Sequence, residues 1–90
     1  MLTSEMNKEQ VIEMARHLVE TTFRCLVDAP DEVVVRASVG TNTVIFSVSM
    51  RSDDKGRALG KGGSYKRLLE ELLKPIGGNH GLRYVVDRID

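Results

Sequence analysis

From Val11 onward the chain repeats at helical spacing: Val11, Ala15, Leu18, Thr22 and Leu26 fall on one stripe, flanked by Ile12, Val19 and Phe23. Asn7 followed three places later by Gln10 resembles a capping box, so a helix is predicted to start there, with residues 1–7 as a flexible lead-in. Pro30, set between Asp28 and Asp31, is expected to end it. The period then drops to two. Val33 and Val35 alternate with Val34 and Arg36, and Gly40-Thr41-Asn42 is turn-like. Beyond it, Val44, Phe46, Val48 and Met50 point one way while Ile45, Ser47 and Ser49 point the other. The pattern predicts a hairpin with one buried face.

Ser52 or Asp53 is positioned to cap a short helix through Leu59, within which Gly56 costs about 1 kcal/mol relative to alanine. A glycine there reads as close packing, close approach of a ligand, or a frayed turn. Ser64 is expected to cap a further helix with Leu68, Leu69, Leu72 and Leu73 inward and Pro75 as its stop. Gly77-Gly78-Asn79-His80-Gly81 reads as a loop, and Leu82 to Ile89 as a last strand whose inward face is either Tyr84/Val86 or Val85/Ile89. The order is α-β-β-α-turn-α-β, with no repeat, linker or low-complexity segment. One sheet covered by three helices, an α+β domain, is the natural packing.

Ninety residues support one modest core, so residues 8–90 are expected to form a single domain. With 41% hydrophobic and 29% charged residues the composition is that of a soluble globular protein. Net charge is zero, so whole-chain charge does not point to a nucleic acid. Its distribution is uneven. From Met1 to Val35 seven acids oppose three cations, a net −4; from Arg51 to Arg67 six cations oppose two acids, a net +4. Such a local basic patch supports anion binding without long-range steering. Cys25 is the single cysteine, which leaves no intrachain disulfide or cysteine-based zinc site and suits a reducing compartment. Neither a basic-then-apolar leader nor an apolar run of roughly 20 residues occurs, so a cytoplasmic protein is expected.

The stretch that carries chemistry is Leu59-Gly60-Lys61-Gly62-Gly63-Ser64-Tyr65-Lys66-Arg67. Glycines let a polyanion approach the main chain, the following helix offers N–H groups at its start, and Lys61 adds a charge-assisted donor. By itself G-x-x-G says little: with 8 glycines about one such pair arises by chance. A second copy, Gly78-Asn79-His80-Gly81, precedes a strand and carries no lysine. The Gly60–Gly63 copy joins two helices and has cations on both sides.

Two other phosphate motifs fail. Gly56 to Gly62 has three residues between its glycines where a Walker A loop needs four, and a dinucleotide fingerprint needs glycine where Tyr65 stands. His17 and His80 lie in different elements, so no metal site is expected. Cys25 beside Arg24 reads as a partly buried, inert thiol, Glu9, Glu13 and Glu20 as a solvated helix face, and Asp53 with Asp54 as a helix start. No spacing assembles a nucleophile, base and orienting group, so neither catalysis nor a cofactor is expected.

The order α-β-β-α-α-β with G-x-x-G between the two adjacent helices resembles a type II KH domain. Its length and Asp53-Asp54-Lys55-Gly56-Arg57-Ala58-Leu59-Gly60-Lys61-Gly62-Gly63 resemble the small single-KH RNA-binding proteins of bacteria, the KhpA-like group. The likeness implies a three-stranded mixed sheet covered by three helices. It also implies single-stranded RNA as partner, a G-x-x-G loop that clamps the backbone of about four nucleotides, and a role as RNA chaperone or post-transcriptional regulator. Gly60, Lys61, Gly62 and Gly63 would hold phosphates, with Leu59, Ser64, Lys66, Arg67, Lys55 and Arg57 around them. Bases would lie across an apolar groove of Leu59, the Leu68/Leu69 helix and the last strand, rimmed by a variable loop from Ile76 to Gly81. The likeness implies a homodimer or pairing with a second KH protein, and neither a membrane nor a small-molecule substrate. Three positions depart from the family pattern: Ser64 and Glu70 stand where cations are common, and Lys66 where a small apolar residue is usual. Lys66 would either reach the phosphates or narrow the groove, whereas Ser64, Glu70 and the zero net charge favour a rival reading, a protein-interaction module on a KH fold.

Overall fold

Asn7 opens the first helix as its spacing to Gln10 predicts. The Asn7 side chain accepts from the Gln10 amide at 2.9 Å and the Gln10 side chain accepts from the Asn7 amide at 3.0 Å, a complete capping box. Helix α1 then spans Lys8–Leu26, followed by strands β1 (Val34–Val39) and β2 (Thr43–Ser49), helices α2 (Lys55–Leu59) and α3 (Ser64–Gly78), and strand β3 (Arg83–Ile89). This is a computed structural model describing residues 7–89; of the expected lead-in, residues 1–6 lie outside the described residues.

The sheet order is β1-β2-β3. β1 and β2 pair antiparallel through the Gly40–Asn42 turn, where the Gly40 amide donates to the Thr43 carbonyl at 2.8 Å. β2 and β3 pair parallel, which obliges the chain to cross over. α2 and α3 are that crossover. They join α1 on one face of the sheet, so the other face is left to solvent: Ser47 and Ser49 are exposed while Val44, Phe46 and Val48 are buried. Inward on β3 are Tyr84 and Val86, which settles the open choice of face. Tyr84 stacks on Phe46 with ring centroids 5.4 Å apart.

Several local expectations give way to tertiary contacts. The buried stripe of α1 is Val11, Ala15, Val19 and Phe23, with Leu18, Thr22 and Leu26 half-buried toward α3. Glu20 is not on a solvated face: it is buried, and Arg16 and Arg24 reach its carboxylate at 3.0 and 3.3 Å. Arg16 also bonds Glu13, which holds the Glu13 carboxyl below its usual range. Cys25 is exposed rather than partly buried.

Neither Ser52 nor Asp53 caps α2, and Ser64 is the first residue of α3, with Gly63 at the N-cap. Leu69 and Leu73 are buried, but Leu68 and Leu72 are 63% and 51% exposed, because successive turns of α3 aim only one leucine of each pair at the sheet. Pro75 does not stop α3. Its missing N–H costs the bond to the carbonyl of exposed Glu71, which water can satisfy, and the helix runs on through half-buried Ile76 and buried Gly77. The expected Gly77–Gly81 loop is therefore a short turn, Asn79–Gly81. Gly56 has nothing within 4 Å of where a Cβ would stand, so close packing within the chain does not explain it.

Candidate nucleic-acid interface

The Gly60–Gly63 turn is built from positive φ angles. Gly60 (φ 75°), Gly62 (φ 63°) and Gly63 (φ 76°) occupy backbone regions that side chains rarely adopt. A Cβ on Gly60 would stand 2.8 Å from the Tyr65 ring, whereas one on Gly62 would meet nothing within 4 Å. Gly60 thus closes the turn against α3, and Gly62 forms its open outer edge. The carbonyls are tied from within: Gly60 accepts from the Gly63 amide at 3.1 Å, Lys61 from Ser64, and Gly62 from the Arg67 guanidinium at 2.6 Å. A loop whose carbonyl oxygens are engaged inside does not present them to an anion, and exposed Lys61 stands at its tip.

The remaining predicted site residues divide. Leu59, Ser64 and Lys66 are half-buried next to the turn, and Arg67 lies one turn into α3, holding the loop. Lys55 is half-buried at the start of α2. Arg57 points away, pairing with Asp28 at 2.6 Å. Lys61 and Lys66 form no ion pair among the described residues.

Sequence reasoning missed the residue that anchors the turn. Asp54 is buried, and its two carboxylate oxygens accept from the amides of Asp28 and Ala29, each at 3.1 Å. With Arg57–Asp28 alongside, the start of α2 is fastened to the segment that leaves α1. Nothing local separates inward Asp54 from exposed Asp53.

The cleft beside the loop also differs from the expected apolar groove. A space of about 280 Å³ opens between α3 and β3, lined by Glu70, Lys74, Leu82, Arg83, Tyr84 and Val85. Arg67, Glu70, Glu71 and Lys74 continue it along α3 toward the loop. Its helix wall is charged. Leu68 and Leu72 line a different, apolar cleft with Thr22, Leu26 and Tyr65 between α1 and α3. Among the described residues no group of three or more His, Cys, Asp or Glu is gathered to hold a metal, and no helix is long and apolar enough to cross a membrane.

An α-β-β-α-α-β chain whose sheet pairs one hairpin antiparallel and its last strand parallel, with a G-x-x-G turn between consecutive helices, has a KH fold of type II. Comparison with known families gives the particular group. The model described as "KhpA/KhpB, KH domain" matches residues 16–87, and the chain belongs to that family. It is 34% identical over 80 residues to RNA-binding protein KhpA of Treponema pallidum, covering 89% of this chain and 100% of that one. It is 31% identical over 74 residues to RNA-binding protein KhpA of Clostridium acetobutylicum (82% and 99%). It is 36% identical over 72 residues to the protein of the same name in Mycobacterium leprae (80% and 86%). No solved structure matches the chain.

Proposed function

We propose that this protein binds single-stranded RNA without catalysis, in the cytoplasm, as an RNA chaperone or post-transcriptional regulator. The observation that carries the reading is the Gly60–Gly63 turn: its carbonyls are engaged internally, Lys61 is exposed, and Arg67, which holds the turn, lines the surface that leads along α3 to a space of about 280 Å³ beside β3. Relatives over nearly their full length carry the name RNA-binding protein, which supports the same partner. The loop holds phosphates and the α3–β3 cleft receives bases. With charged walls and few aromatics, base contacts are shallow and affinity is modest.

Fluorescence anisotropy with labelled single-stranded RNA at two salt concentrations tests this. Three or four neutralised phosphates predict a log–log salt slope of about −2 to −3. Lys61→Asp/Gly62→Asp removes one cation and adds two carboxylates. Gly62 has open space but a φ of 63°, a left-handed angle that aspartate adopts more readily than most residues. At least about tenfold weaker binding is therefore expected, with a retained circular dichroism spectrum and a slightly lower thermal midpoint. Equal binding by the double variant, or no binding by either protein, would overturn the clamp. The second outcome would leave a protein-interaction module as the better reading.

The same reading includes pairing with a second copy of this chain. Exposed Met14, Leu68 and Leu72 lie on the α1–α3 face with the apolar clefts, away from the α3–β3 cleft, so an isologous contact there leaves both α3–β3 clefts open. Sedimentation should give a dimer for the wild type and a monomer for Leu68→Glu/Leu72→Glu. A wild-type monomer at high concentration would exclude it.

A further inference from the structure

Among the described residues β3 is the edge of the sheet, so its outward peptide groups pair with no neighbouring strand there, and β3 residues line the α3–β3 cleft. One of these groups is already occupied. The Val86 amide donates to Glu70 Oε2 at 2.9 Å, across sixteen residues of sequence. Glu70 is half-buried and lines both parts of the cleft, beside Arg67, Glu71, Lys74 and Arg83. Lys74 is paired with Glu71 and Arg67 is bonded to the Gly62 carbonyl, and no cation pairs with Glu70 among the described residues. Its other oxygen, Oε1, accepts no hydrogen bond among the described residues.

This arrangement changes what the cleft offers a base. A bare strand edge would present the Val86 N–H, a donor suited to base carbonyl oxygens. With Glu70 docked on it, the cleft presents a carboxylate, which accepts and does not donate. Cytosine N4, adenine N6, and the guanine N1–H with its 2-amino group can each donate to it. Uracil presents its single N3–H between two carbonyl oxygens, so a carboxylate facing that edge meets repulsion on either side.

We propose that Glu70 selects bases: docked on the β3 edge, its carboxylate favours amino-bearing bases in the cleft and turns uracil away. The proposal rests on the RNA-binding reading of this site. A purely structural rival exists, in which Glu70 merely covers an exposed strand edge, and the test has to separate the two.

Glu70→Gln does so. Its amide oxygen can still accept from Val86 N–H, so the edge stays covered, but its NH₂ now donates into the cleft. Wild-type protein should bind short oligo(rC) and oligo(rA) about tenfold more tightly than oligo(rU), the discrimination one good base contact supplies. In Glu70→Gln that ratio should fall to within about threefold or invert, with the thermal midpoint unchanged. Glu70→Ala, which uncovers the Val86 amide, should also lose the preference against oligo(rU). A wild-type protein without preference, or a preference unchanged in Glu70→Gln, overturns base selection while the clamp stands. Failure of every oligonucleotide to bind the wild type overturns the clamp and base selection together.

Discussion

Gly77→Ala is expected to destabilise the domain by about 3 kcal/mol, at the upper end of what overpacking a tight site costs. Gly77 is helical and its backbone angles suit alanine; the difficulty is space. A Cβ there would intrude on the Leu82 carbonyl oxygen and stand 3.0 Å from the Tyr84 ring. Neither neighbour can retreat. The Gly77 carbonyl accepts from both the His80 and Leu82 amides at 2.9 Å, so backbone is locked to backbone as the chain turns from α3 into β3. Tyr84 is held by its stack on Phe46. For a domain of this size the loss should lower the thermal midpoint by roughly 15–20 °C. Gly78→Ala is the control: its Cβ meets nothing within 4 Å, and it should be neutral or slightly stabilising. If both variants melt together, the close approach of α3 to β3 is not limiting.

Asp54→Ala should cost a similar amount, about 3 kcal/mol, because two backbone donors lose a shared charged acceptor and a buried space opens. Asp54→Asn keeps one acceptor and turns an NH₂ toward the other amide, so about half that loss is expected. Urea titration measures both. The effect should reach function, since α2 carries the Gly60–Gly63 turn and Asp54 fastens α2 to the residues after α1. RNA affinity in Asp54→Asn is expected to fall although no contacting group has changed. A loss below about 0.5 kcal/mol for Asp54→Ala would mean that water replaces the carboxylate at little cost.

Much of the site's neighbourhood could be read from local pattern, and the reasons are physical. The alternation Val44, Phe46, Val48 has a period only a strand provides, and those three are the centre of the core. The Asn7–Gln10 box is a pair of hydrogen bonds within four residues. The glycine-lysine turn is visible because positive φ angles and close packing against Tyr65 restrict which residues can stand there. The helix after it was harder. Four leucines in adjacent pairs define a helix but not its rotation, and two of the four expected inward, Leu68 and Leu72, proved to be exposed. Pro75 looks like a terminator in isolation and is tolerated because the carbonyl it orphans is at the surface.

Taken alone, the sequence determined the element order, the faces of β1 and β2, the basic turn and the family likeness. Each depends on short-range periodicity, on backbone angles that few residues adopt, or on a motif read in order. Which acids matter was decided by tertiary structure. Asp54 meets its partners 26 and 25 residues away, and Glu70 meets the edge of β3 across 16. A carboxylate's role is set by the donors that folding brings to it, and those donors are backbone amides whose positions no local pattern encodes.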